Sequence, residues 1–129
     1  MSVQALTTDQ FDATVTGNDI VMIDFWAPWC GPCRSFAPIF EQVAAENPDI
    51  KCVKVNTDEE QALAGHFGIR SIPTLMIFRE QVIVFQQPGV LPKGALADLL
   101  GQVKALDMAE VKRTARSAQD DQADQGTPQ

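Results

Sequence analysis

The amino-acid sequence predicts an α/β domain organised around a mixed central sheet. Apolar strand-like runs alternate with helical patterns as far as Phe67. Two strand-like runs then follow each other, Leu75–Phe78 and Gln81–Gln86, and an amphipathic helical pattern succeeds them. Alternation gives parallel pairing through helical crossovers, and a consecutive strand pair adds antiparallel pairing to the same sheet.

Val3 to Leu6 reads as a short first strand. Thr8 is placed to cap a helix from Asp9 to about Val15, where Phe11 and Val15 stand at four-residue spacing. Thr16-Gly17-Asn18-Asp19 is a turn cluster. Ile20-Val21-Met22-Ile23-Asp24-Phe25-Trp26 alternates too little for a half-exposed strand and reads as buried on both faces. From about Cys33 to Glu46, Phe36, Phe40, Val43 and Ala44 repeat at helical spacing. Pro38 inside that helix removes a backbone donor and is expected to bend it. Asn47-Pro48-Asp49 ends the helix, Ile50–Asn56 is the next strand and Asp58–Phe67 the next helix. Arg79-Glu80, between the last two strands, lacks the glycine of a tight hairpin. Pro88-Gly89-Val90-Leu91-Pro92 forms a loop, and Pro92 opens a last helix with Leu96, Leu99, Leu100 and Val103 on its apolar stripe. That helix is expected to run on toward Arg116, its stripe thinning after Leu106. The chain thus divides into a domain over residues 1–107 and an extension over 108–129, helical and then, from Ser117, disordered by composition.

With 129 residues, 45% of them hydrophobic, the chain is long enough for one domain with a real core. A net charge of −7 argues against nucleic acid and gives no reason to expect an anionic membrane as partner. Three cysteines are too few for a secreted disulfide scaffold. The stretch Met1–Asp9 lacks the basic and apolar segments of a signal peptide, so a cytoplasmic location is expected. No apolar run is long enough to span a bilayer.

The chemistry concentrates in Phe25-Trp26-Ala27-Pro28-Trp29-Cys30-Gly31-Pro32-Cys33-Arg34. Two thiols stand where a buried strand ends and a helix begins. Unsatisfied N–H groups and a partial positive charge at a helix start stabilise an anion. A thiolate there has a pKa below the free value of about 8.5. Cys30 is therefore the more acidic thiol and the nucleophile, and Cys33, one turn on, is the resolving thiol. Asp24 is the most informative polar residue, because a carboxylate in an apolar strand is costly without a partner or a task; burial raises its pKa. Cys52, mid-strand among Ile50, Val53 and Val55, reads as core packing. No metal site is expected, since His66 is the sole histidine and a second Cys-X-X-Cys is missing.

These residues resemble the thioredoxin family from about Leu6 to Leu106. The resemblance rests on Asp24-Phe25-Trp26-Ala27, Trp29-Cys30-Gly31-Pro32-Cys33, Pro38, Lys54 with Asn56, Ile69-Arg70-Ser71-Ile72-Pro73-Thr74, and Gly89. It implies a thioredoxin fold: a five-stranded sheet of order 1-3-2-4-5 flanked by about four helices. It also implies a protein-disulfide reductase, a standard example of the Cys-X-X-Cys effect. Its Cys30–Cys33 disulfide would be reset by an NADPH-dependent thioredoxin reductase. No cofactor is expected on this chain, which has no Gly-X-Gly-X-X-Gly.

By the same resemblance Asp24 lies beneath Cys33 and accepts its proton, Lys54 tunes Asp24, and Pro73 is a cis-proline facing the thiols. An outward-turned Asp24 and a trans Pro73 are the plain alternatives. Trp29, Ile72, Pro73, Gly89 and Val90 would rim the thiols as an apolar docking surface for disulfide-containing client proteins, with Ile72 pairing an extended client backbone. Trp26 reads as packing beside the site, and Arg34 as a cation beside the thiols or a merely exposed helical residue. Gly31-Pro32 adds no positive charge between the thiols, and the lack of a His there favours a reductant. A monomer is expected. The competing readings are a binding or chaperone module with incidental thiols, and a thiol oxidase or isomerase.

Overall fold

The computed structural model describes residues 3–115. Its strands are β1 (Val3–Ala5), β2 (Ile20–Trp26), β3 (Lys51–Asn56), β4 (Thr74–Arg79) and β5 (Val82–Pro88). Its helices are α1 (Phe11–Thr16), α2 (Gly31–Glu46), α3 (Gln61–His66) and α4 (Lys93–Lys104). The strands form one sheet in the order β1-β3-β2-β4-β5. β3 pairs parallel with β1 and β2; β4 pairs antiparallel with β2 and β5. The mixed sheet and its order agree with the sequence reading.

β2 is buried on both faces, and the two-residue period of a strand sorts its side chains between two apolar layers. Ile20 and Met22 join Phe36, Phe40 and Val43 of α2 and Leu96, Leu100 and Val103 of α4 on one face. Val21, Ile23 and Phe25 join Val15 of α1 and Leu63 of α3 on the other. Each such fully buried side chain contributes roughly 1.5–3 kcal/mol. The same parity directs Asp24 and Trp26 to the α2 face, as it does Cys52 and Lys54 on β3. Cys52 lies in that core, 2% exposed, and burial, its largest influence, pushes the thiol up to about 12.

Several boundaries differ from the sequence reading. α2 begins at Gly31 rather than Cys33, because Pro32 fits a first turn that has no use for its missing N–H. A 3-10 turn over Thr8–Gln10 precedes α1, and Thr7, not Thr8, stands at its N-cap. Thr8 is engaged elsewhere: its N–H and hydroxyl donate to Glu60 Oε1 at 2.8 and 3.1 Å. α3 starts only at Gln61, because Asn56 Oδ1 accepts from the N–H groups of Asp58 and Glu59 and holds a turn there.

The β4–β5 connection is a two-residue turn of Glu80 and Gln81, both in the left-handed region at φ 50° and 71°. Gln81 therefore belongs to the turn, and β5 starts at Val82. Tertiary contacts hold this glycine-free turn: Glu80 N–H donates to the Asp19 carbonyl at 2.8 Å, and Glu80 Oε1 pairs with Lys112 Nζ at 2.6 Å.

α4 does not continue to Arg116. It stops at Lys104, and the chain is helical again over residues 108–115, with Asp107 Oδ1 accepting from the N–H groups of Ala109 and Glu110. Arg79 Nη1 donates to the carbonyls of Val103, Lys104 and Leu106 at 2.7, 3.1 and 3.0 Å, closing the end of α4. Met108 is buried against the domain. The tail expected to be disordered from Ser117 lies outside the described residues.

Candidate active site

β2 ends at Trp26, and Ala27-Pro28-Trp29 carries the chain into α2. Cys30 is the N-cap of α2 in extended conformation, with Gly31 and Pro32 filling the first turn. Cys30 Sγ accepts the N–H of Cys33 at 3.2 Å. Cys30 and Cys33 are joined as a disulfide with Cα atoms 5.2 Å apart, and the two residues are 4% and 2% exposed. The sulfur therefore sits where the orphan donors and dipole of a sixteen-residue helix converge.

The loop before β4 closes over the pair. Ile72 C=O lies 3.7 Å from Cys30 Sγ. The Ile72–Pro73 peptide bond is cis. The Pro73 carbonyl accepts from Gly89 N–H at 2.8 Å, fastening the end of β5 to this loop. Gly89 has φ 104°, a conformation that a side chain disfavours. Val90 follows it, 41% exposed. Trp29 is 67% exposed, yet its Nε1–H donates to Asp58 Oδ2 at 2.9 Å. An exposed indole is thus held in one orientation. The turn bearing Asp58 is tied to the strand end, since Thr57 N–H donates to the Trp26 carbonyl at 2.9 Å.

Behind the pair a cleft of about 90 Å³ is lined by Asp24, Trp26, Cys33, Arg34, Glu41 and Lys54, among others. Asp24 is 4% exposed, and its Oδ1 has no hydrogen-bond partner among the described residues. Burial pushes the Asp24 carboxyl up to about 7, against the opposing pull of the Lys54 charge. Lys54 is the register partner of Asp24 on β3, and its Nζ lies 5.4 Å from the centre of the Trp26 ring. Trp26 Nε1 is also buried without a partner among the described residues. The cleft is large enough to admit water between these groups.

The structure thus brings the Ile72 carbonyl to Cys30 Sγ, ties Gly89 to Pro73 next to it in the chain, and sets Asp24, Lys54 and Cys33 around the cleft. Gly31 and Pro32 lie exposed on the first turn. Asp58 was missed as a partner of Trp29, and only its acidic character just beyond a strand end could have suggested it.

The family model described as thioredoxin matches residues 2–102. The chain belongs to the thioredoxin family. A Streptomyces coelicolor protein assigned as thioredoxin 2 is 55% identical over 114 residues, covering 88% of this chain and 85% of that protein. Thioredoxin 1 of Synechococcus elongatus is 50% identical over 103 residues, covering 78% of this chain and 96% of that protein. The crystal structure of a chloroplastic thioredoxin z superposes with a TM-score of 0.76 at 30% identity, over 82% of this chain and 97% of that one. The fold is the thioredoxin fold, and the activity is that of a protein-disulfide oxidoreductase whose redox group is the Cys30–Cys33 pair itself. Thioredoxins act on disulfide-containing targets and interact with a reductase. Among the described residues, no helix is long and apolar enough to cross a membrane.

Proposed function

We propose that this thioredoxin is a general reductant of protein disulfides in the cytoplasm, working as a monomer and reset by an NADPH-dependent thioredoxin reductase. The carrying observation is Cys30 Sγ at the N-cap of α2, accepting the Cys33 N–H at 3.2 Å with the Ile72 carbonyl across from it.

In the reduced protein Cys30 is the thiolate. It attacks one sulfur of a client disulfide; a Cys30–client disulfide forms, the client S–S bond breaks, and the departing client thiolate takes a proton from water. Cys33 then attacks Cys30 Sγ and passes its proton to Asp24, directly or through water in the cleft. The second client sulfur leaves as a thiolate and takes a proton from water, and the Cys30–Cys33 disulfide keeps the two-electron balance. A carboxylate with a pKa of about 7 suits a proton acceptor at neutral pH. Lys54 keeps that carboxylate from rising further. Cis-Pro73 turns the Ile72 backbone toward the client, which pairs with it as an added strand. Trp29, Gly89 and Val90 supply the apolar rim.

The domain over residues 1–107 carries this chemistry, with 108–129 as an extension. The test is insulin reduction coupled to NADPH and a thioredoxin reductase. Wild-type protein turns over, Cys30→Ser does not, and Cys33→Ser accumulates a mixed disulfide that gel shift detects. Turnover that survives Cys30→Ser would remove the nucleophile. An oxidase is separated by the reduction potential against glutathione, and Pro32→His should raise that potential.

A further inference from the structure

A groove of about 380 Å³ lies beside the cis-proline loop, away from the Asp24 cleft, and is lined by Arg70, Ser71, Thr74, Gln86 and Pro88 together with the backbone turn before them. Its floor is built, not incidental. Thr74 and Pro88 are register partners where β4 and β5 meet, the Thr74 hydroxyl donates to the Ser71 carbonyl, and Ile69 N–H donates to the Ala64 carbonyl at 3.0 Å. The Ser71, Thr74 and Gln86 side chains are neutral hydrogen-bonding groups. Arg70 supplies the groove's one formal charge, is exposed, and makes no ion pair among the described residues.

The carboxylates of Asp58 and Glu60, on the turn before α3, are engaged elsewhere. Asp58 accepts from Trp29, and Glu60 accepts from Thr8. An exposed guanidinium without an ion pair among the described residues, on a groove whose lining residue Ser71 adjoins Ile72 in the chain, is a recognition element for an anion. Its reach along a client covers a few residues. An extended client passing over Ile72 advances about 3.3 Å per residue, with alternate side chains on one face. Arg70 precedes Ile72 by two residues in the irregular loop that leads into β4, so its long side chain comes within a few residues of a client's reacting cysteine.

We infer that Arg70 and this groove form a subsite for a client carboxylate, so that disulfides with Glu or Asp close to the reacting cysteine are reduced in preference to those with Lys there. The inference rests on the reductase reading above. The net charge of −7 acts in the opposite sense, repelling acidic clients at long range. A preference for acidic clients must therefore originate locally.

The test uses three otherwise neutral disulfide peptides, with Glu, Gln or Lys two residues to either side of the reacting cysteine. Stopped-flow tryptophan fluorescence follows their reduction by the reduced protein. The readout is the Glu-to-Lys rate ratio within each variant, which cancels any general loss of activity. An exposed ion pair of ordinary strength gives wild-type a ratio of about two to five, shrinking in about 0.5 M salt. Arg70→Gln brings the ratio below one, as the net charge dictates, and Arg70→Glu lowers it further. A wild-type ratio at or below one, or a ratio unchanged in both variants, overturns the subsite. Failure of wild-type protein to reduce the Gln peptide would instead overturn the reductase reading, and the subsite with it.

Discussion

Asp24 and Lys54 are register partners on adjacent parallel strands, and strand parity sends both to the sheet face that α2 covers. Burial dominates over the lysine, so the folded-state pKa of Asp24 is about 7 against an ordinary 3.8. Between those values the native state holds a proton that the unfolded chain releases. Stability is therefore greatest below the lower value, falls as pH rises, and carries the whole penalty above the upper one. Asp24→Asn removes the ionisation. The oxidised variant is expected to be more stable than wild type by about 2–4 kcal/mol at pH 8 and no more stable near pH 4. Urea denaturation at both pH values checks this; a gain of equal size at both would exclude ionisation as the cause.

The Trp29–Asp58 hydrogen bond joins the approach to α2 to the turn after β3. With Trp29 67% exposed, little packing fixes the indole, so this bond does. Asp58→Ala should free it at a stability cost of about 1 kcal/mol or less, since the pair is exposed. Lower steady-state anisotropy in a Trp26→Phe background would report the freed ring. A rise in KM for insulin with kcat little changed would show that the fixed ring contributes to docking. An unchanged anisotropy would mean that the bond is not what orients Trp29.

How much of this was legible in the sequence depends on the length scale of each cause. The sheet order followed from resemblance, but the burial of β2 on both faces followed from seven residues with one polar interruption. The thiol pair at a helix mouth was legible because Cys-Gly-Pro-Cys is itself a helix start. Causes distant in sequence were not legible. Thr8 is drawn to Glu60, which moved the cap to Thr7. Arg79 reaches the carbonyls of Val103 to Leu106, which stopped α4 where its periodicity continued. The Glu80-Gln81 turn had no glycine to announce it and depends on Asp19 and Lys112.

That turn makes a stability prediction. Gln81 sits at φ 71°, where a residue with a Cβ is strained and glycine is not. Its side chain is exposed, so little packing is lost on removing it. Gln81→Gly should stabilise the fold by about 0.5–1 kcal/mol, the relief of left-handed strain outweighing the added freedom of the unfolded chain. Gln81→Val should do the reverse, and more strongly, since a β-branched residue tolerates this region least. Thermal melts of the two variants measured together decide the point; the same Tm shift in both would show that conformation is not the governing factor.

Arg79 ties the end of β4 to the end of α4 through one nitrogen and three carbonyls. Those carbonyls belong to the last turn of a helix and the residues just after it, where acceptors lack partners and the dipole favours a cation. Arg79→Met keeps the aliphatic stem and removes every donor, leaving partly buried acceptors unsatisfied. A loss of about 2–3 kcal/mol is expected, at the upper end for charged hydrogen bonds. Arg79→Lys should recover only part of it, because a single ammonium is poorly placed to span carbonyls from Val103 to Leu106. Hydrogen exchange localises the effect. Protection should fall in the last turn of α4 and in residues 108–115, while the Cys33 and Arg34 amides on α2 keep theirs. Uniform loss of protection across the sheet would mean that Arg79 supports β4 itself rather than the helix end it reaches.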